Sequence, residues 1–323
     1  MTVRRGLLIA APLAAAVVVA GTSGALAARP APTAPRAGAA VGVPAPARVS
    51  TVSTVAAARP AALPATFVGS DRTGRVGEFR VRDGRLVRYL STARQKAVDP
   101  RYSRDRAYVY YSENEGCGPV VRVRPGRTAV TQVRTRYAGA PIAVGDGKAL
   151  ASNTCALAGK MTVATGARGR THYVLGLSVY GATSLSYAPG SQLLALSAHG
   201  PGVYVANLTR ERVSFNGKIP CPTALRGCET RAGEYGPDGR LWFVASTTGR
   251  GAKAYLAYYS RGKSYVTTQL PKASPFAHAS AAASGALVIS GIASITATRS
   301  DYVVSWDGRT LRRHTTAVIA PSW

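Results

Sequence analysis

Glu113, Asn114 and Glu115 stand together, two carboxylates and an amide within three residues, in a chain whose formal charge is +27. A carboxylate pair does acid–base or cation chemistry when the fold fixes its separation. These two are i and i+2 in a stretch with no helical period, so no separation is fixed and a general acid–base pair is not indicated. Contact with a cation or a basic ligand is the chemistry left to them, and the plainer reading is a pair of solvated loop charges. The four histidines, His172, His199, His278 and His314, are scattered, and none lies in an HExxH frame. A metal centre is therefore not expected. No nucleophile elbow, phosphate loop or dinucleotide fingerprint occurs in its necessary strand–helix context, so no catalytic residue and no cofactor is assigned. Seven residues are candidates for binding: Glu113, Asn114, Glu115, Asn153, His199, Glu229 and His278.

Cysteine provides the other reactive set. Cys117, Cys155, Cys221 and Cys228 are even in number, and no CxxC spacing or neighbouring histidine points to zinc. In an exported chain two disulfides are the default. Cys221 and Cys228 close a short Pro-containing loop and form the natural local pair, which leaves Cys117 with Cys155.

Export is read from the N-terminus. Arg4 and Arg5 precede the apolar run Leu7 to Ala20, and Ala25-Leu26-Ala27 has a small-x-small cleavage pattern. Residues 1–27 read as a signal peptide, with an uncleaved membrane anchor as the alternative. Residues 28–64 are an Ala/Pro/Val/Arg tract without period, an extended disordered linker. Residues 65–323 carry the apolar content of one folded domain, with no membrane span left after signal removal. The basic residues are mostly arginine and are spread over every segment. A specific nucleic-acid site is therefore not expected, while an anionic envelope polymer or a protein is. Nothing in the pattern calls for more than a monomer.

The elements that position the candidates repeat. A turn followed by an apolar strand occurs five times, with anchors at Ala107, Ala149, Leu193, Leu241 and Leu287. Between these copies lie alternating hairpins about Gly-basic turns, at Gly84, Gly126, Gly169, Gly262 and Gly308, and a copy at Val203 to Arg212 whose turn lacks glycine. Each period of about 45 residues thus holds four antiparallel strands, the size of one propeller blade. Six hairpins predict an all-β, six-bladed β-propeller of four-stranded antiparallel blades, with seven blades as the alternative count. The first blade lacks an inner strand, and Ala317 to Trp323 is a spare one that would close the ring. Tyr102, Tyr187 and Tyr235 take equivalent places ahead of the first turn of their blades.

Pro237-Asp238-Gly239-Arg240-Leu241-Trp242-Phe243 resembles the repeat signature of TolB-like, WD-like propellers, and Tyr187-Ala188-Pro189-Gly190-Ser191 is a degraded copy. Trp306-Asp307 falls at an outer turn, out of register with true WD repeats. The Arg-, Ala- and Gly-rich usage is actinobacterial-looking. The resemblance implies a scaffold fold rather than a reaction. The expected function is an exported binding or scaffold protein of the cell envelope, acting through the rim that carries the cysteine loops. The alternative is a hydrolase or lyase acting on a carbohydrate or lactone-like substrate in the central channel.

Overall fold

In the computed structural model, residues 60–323 are described, except for 128–129, 134–138, 141, 146–147, 153–159, 166–167, 175–182, 192, 198–201, 210–211, 295–296 and 317. Residues 1–59, where a signal peptide and most of a linker are expected, and Asn153, Cys155 and His199 therefore lie outside the described residues. Among the described residues, no helix is long and apolar enough to cross a membrane.

The chain folds as successive runs of four strands. The first run begins with β1 (Thr66–Ser70), β2 (Val76–Arg80) and β3 (Leu86–Tyr89). The second is β4 (Val98–Tyr102), β5 (Val109–Ser112), β6 (Val120–Val123) and β7 (Val130–Val133). The third holds β8 (Ile142–Gly145), β9 (Lys148–Ser152), β10 (Lys160–Thr165) and β11 (Arg168–Val174). Next come β12 (Ser184–Tyr187), β13 (Leu193–Ser197), β14 (Val203–Thr209) and β15 (Arg212–Lys218). They are followed by β16 (Cys228–Tyr235), β17 (Leu241–Thr247), β18 (Ala254–Ser260) and β19 (Lys263–Gln269). The last full run is β20 (Phe276–Ala281), β21 (Leu287–Ile292), β22 (Tyr302–Trp306) and β23 (Leu311–His314), after which β24 (Ile319–Ser322) pairs antiparallel with β1 and completes the first sheet. The first strands of the runs, β4, β8, β12, β16 and β20, neighbour one another in order, and β24 closes the circuit between β20 and β4.

The expected count of six separate four-stranded blades, with seven as the alternative, is corrected. The strands form five sheets, four of four strands and one of eight, so the propeller has five blades. The eight-stranded blade arises because the outer strands β11 and β15 pair in parallel, Tyr173 opposite Arg212 and Val174 opposite Val213. Counting hairpins in the sequence cannot detect this pairing. It depends on two seven-residue edge strands meeting in space, each with a row of backbone groups to satisfy.

Why the strand from Leu241 to Ala245 is apolar without interruption is plain from its packing. Phe243 faces Ala188, Val203 and Tyr235 on one side, while Trp242 and Val244 face Ala279, Leu287 and Tyr302 on the other. Alternation of side chains sends successive residues to opposite neighbours, and both faces are covered. Each large side chain buried in this way contributes roughly 1.5–3 kcal/mol. The turn before the strand is made as its residues predict: Asp238 accepts the Arg240 N–H at 3.1 Å and Gly239 takes φ +77°.

The closing strand is held by the residue that follows it. Trp323 is buried against Phe67, with ring centroids 6.1 Å apart and edge to face. Trp323→Ala should therefore cost about 3 kcal/mol in urea unfolding. Tyr265→Ala, on the exposed outer strand β19, should cost below about 1 kcal/mol. Equal costs at the two positions would contradict closure by β24.

Candidate active or binding site on the propeller axis

Three of the innermost strands are bulged at equivalent places. Asp99 in β4, Ala232 in β16 and Ala320 in β24 take left-handed φ values of 49°, 54° and 48°, and the strand register skips at each. A left-handed residue other than glycine costs about 1–2 kcal/mol, so surrounding packing must hold it there. Each is followed by Pro or Gly, then a polar residue, then an aromatic: Pro100-Arg101-Tyr102, Gly233-Glu234-Tyr235 and Pro321-Ser322-Trp323. Glycine is needed at 233 because a Cβ there would stand 2.5 Å from Val203 Cγ1. Bulges of this kind re-aim side chains. Arg101, Glu234 and Ser322 all line the same axial cavity.

Arg101 reaches across the axis. Its Nη1 donates to the Ala279 carbonyl at 3.2 Å and lies 3.8 Å from Glu234 Oε2. Nη2 is 2.7 Å from His278 Nε2, and Nε is 3.6 Å from Asp99 Oδ1. His278 Nε2 is also 3.0 Å from Asp99 Oδ1, so this ring nitrogen either accepts from the guanidinium or donates to the carboxylate. Asp99 Oδ2 accepts the Ile142 backbone N–H. All four side chains are nearly removed from solvent, with exposures of 4–12%.

Their protonation follows from that burial. Burial works to raise the Asp99 carboxyl, but Arg101, His278 and the Ile142 N–H outweigh it and hold the group below the usual aspartate range. Burial, and then the adjacent guanidinium, depress His278, which is therefore neutral at physiological pH. Glu234 goes the other way. Burial pushes it up to about 7, against the pull of Arg101 and of hydrogen bonds from Ala281 N–H and Ser186, with Asp99 adding to the rise. A buried carboxyl raised towards neutrality beside a fixed cation marks a candidate site.

Above the cluster lies a cavity of about 510 Å³. Its walls include Ser186, Ser280, Ser322, Tyr187 and Tyr235, and its mouth is formed by Arg104, Arg106, Pro189, Pro237 and Ser284. The entering chain, Ala62 to Thr66, makes one side of the mouth, fixed by Ser284 Oγ donating to the Ala62 carbonyl at 2.6 Å. The volume is that of a small-molecule pocket. The cavity opens among the turns between first and second strands, the same side as Pro237, whereas the Ser112–Gly118 loop and Cys221 lie on the other rim.

The sequence candidates are placed as follows. Glu113 Oε1 accepts from Gln95 Nε2 at 2.6 Å, and Glu115 pairs with Lys96 at 2.8 Å while remaining exposed. Asn114 is exposed in the same 3₁₀ turn. Glu229 pairs with Arg231 at 2.6 Å. Cys221 and Cys228 form a disulfide, and Cys117 is disulfide-bonded as well. His278 is not at a loop: it sits in β20, 3% exposed, beneath Arg101. Of the described candidates, His278 alone joins the axial cluster. Asp99, Arg101 and Glu234 were not singled out by the sequence. The available signal was the residue preceding the repeated aromatic, which is Arg101, Ser186, Glu234 and Ser322 before Tyr102, Tyr187, Tyr235 and Trp323.

No family model and no curated relative matches the chain. Among solved structures it is similar to TolB from Acinetobacter baumannii, at 12% identity and a TM-score of 0.59, over 80% of this chain and 65% of that one. The chain thus spans about two thirds of the length of that TolB. It is also similar to hydrazine synthase from Kuenenia stuttgartiensis, at 13% identity and a TM-score of 0.50, over 80% of each chain.

The Glu234 environment makes stability depend on pH. Unfolded, the group titrates near 4.5, and folded, at about 7. Between these values the folded state keeps a proton that the unfolded state has released, so stability falls as pH rises through the window. Its contribution is fully present below pH 4.5 and lost above about 7, a difference on the order of 3 kcal/mol. Urea unfolding of the parent and of Glu234→Gln at about pH 5 and 8 should show that extra loss only in the parent. Parallel pH profiles would contradict the assignment. At the level these likenesses reach, the chain is a β-propeller of TolB-like fold.

Proposed function

We propose that this chain is an exported β-propeller that binds a small ligand in its axial cavity. The observation that carries the reading is the Arg101–Glu234 pair, 3.8 Å apart, at the floor of a cavity of about 510 Å³. Convergence of polar groups from separate strands into one concavity is how small-molecule sites are built on repeat scaffolds. The Cys221–Cys228 disulfide supports export, since such bonds persist in oxidising compartments. The rim candidates support a site less well, because Glu113, Glu115 and Glu229 are already engaged by neighbouring side chains.

A second reading is favoured by one specific feature. Glu234, held at about 7, has the protonation balance of a general acid or base. A hydrolase or lyase acting on a carbohydrate or lactone-like substrate would use it so. In that case Glu234→Gln would retain binding and lose turnover.

Native purification followed by mass spectrometry of co-purifying small molecules tests the main reading. Ala283 is exposed at the cavity wall, so Ala283→Trp fills space without disturbing the core. The parent protein and the Glu113→Ala/Glu115→Ala variant should both retain a small molecule that Ala283→Trp loses. Retention by Ala283→Trp together with loss in the rim variant would move the site to the cysteine rim.

A further inference from the structure

The chemistry of the cavity is more specific than its volume. Among the described residues, its charged side chains are three guanidinium groups, Arg101, Arg104 and Arg106, against the carboxyl of Glu234. Arg101 is balanced from beneath by Asp99 at 3.6 Å. Arg106 is held at the mouth by neutral partners: its Nη2 donates to the Thr66 carbonyl and hydroxyl at 2.9 and 3.0 Å, and its guanidinium lies 3.9 Å above the Tyr102 ring. The serine hydroxyls of the walls can donate as well as accept. A concave site with low-dielectric walls concentrates the field of such charges towards its interior.

We propose that the ligand of the axial cavity is a small organic anion, a carboxylate drawn in by the guanidinium groups of Arg101, Arg104 and Arg106, and that it enters together with one proton carried by Glu234. This rests on the cavity being the binding site. The proton follows from geometry: an anion in the cavity comes to lie beside Glu234, and two negative charges so placed in a buried site repel. Glu234 is faced by Asp99 and Arg101 from β4, by the Ala281 N–H from β20 and by Ser186 from β12, while His278 of β20 meets Arg101 at 2.7 Å. Asp99 stays ionised and His278 neutral across the neutral range, because their carboxyl and ring are shifted away from it, downward in both cases. Glu234 is thus the member of the cluster that changes charge there, and its midpoint of about 7 sets where the coupling acts.

Titration calorimetry with paired probes tests this: succinate against succinamide, benzoate against benzamide, and choline as a cation. At about pH 6 each carboxylate should bind the full chain at least tenfold more tightly than its amide. Above pH 7 the affinity of the parent should fall by up to tenfold per unit, as one-proton linkage requires, while that of Glu234→Gln stays level. Arg104 is exposed, so Arg104→Ala keeps the fold and should weaken carboxylate binding several-fold, most at low salt. Amides or choline binding as tightly as the acids, with that binding lost in Ala283→Trp, would keep the cavity and overturn the anion. Carboxylate binding unaffected by Ala283→Trp, or no binding by any probe at millimolar concentration, would overturn both.

Discussion

A guanidinium taken out of water has to be met by charge and by hydrogen-bond acceptors, and the axis of this propeller is arranged around meeting that of Arg101. The side chain is 5% exposed, and its partners come from three different strands. Stripping such a group of one partner would leave a buried charge that costs several kcal/mol. The bulges in β4 and β16 place Arg101 and Glu234 where they can approach each other across the ring, and the left-handed residues that make those bulges are retained despite their backbone cost. The inner circuit therefore cannot be treated as mere scaffolding around a site. Its bulged strands supply Arg101 and Glu234 to the candidate site, and their geometry depends on where each inner strand skips register.

That geometry in turn depends on closure. β24 places Ser322 on the cavity wall and leads Trp323 against Phe67, so this segment serves both the core and the pocket. The entering segment Ala62 to Thr66 lies at the same mouth, with Ala61 N–H bonded to the Asp307 carbonyl at 2.6 Å. Both ends of the folded region thus meet where a ligand would pass. Fusion of β11 with β15 occurs at the periphery, remote from this arrangement, which explains how the blade count can depart from a regular repeat without opening the axis.

Much of the fold was legible because it rests on local rules. Gly239 and Asp238 mark a turn by their backbone preferences, and the apolar run from Leu241 to Ala245 marks a strand covered on both faces. The spare C-terminal strand could be read because its Ala-Pro-Ser-Trp ending copies Asp-Pro-Arg-Tyr in β4. The blade count was not legible, since edge pairing between β11 and β15 is a long-range event. The site was mostly hidden for a related reason. Arg101 and Glu234 are more than a hundred residues apart and acquire meaning only when the ring brings them within 3.8 Å. Glu113 and Glu115 drew notice by lying two residues apart in sequence, yet nearness on a surface turn leaves them to Gln95 and Lys96. His278 was expected near the inner loops, and its value came instead from a strand position against Arg101.

The central claim is that the axis holds a carboxyl tuned to neutrality by burial beside a fixed cation. The most direct measurement is the titration of the Glu234 side-chain carboxyl carbon, followed by nuclear magnetic resonance with Glu234→Gln used to assign the signal. The account predicts a midpoint at about 7. A midpoint in the ordinary glutamate range, near 4.5, would show that Arg101 and its neighbours offset the burial of Glu234, and would contradict a carboxyl poised at neutrality.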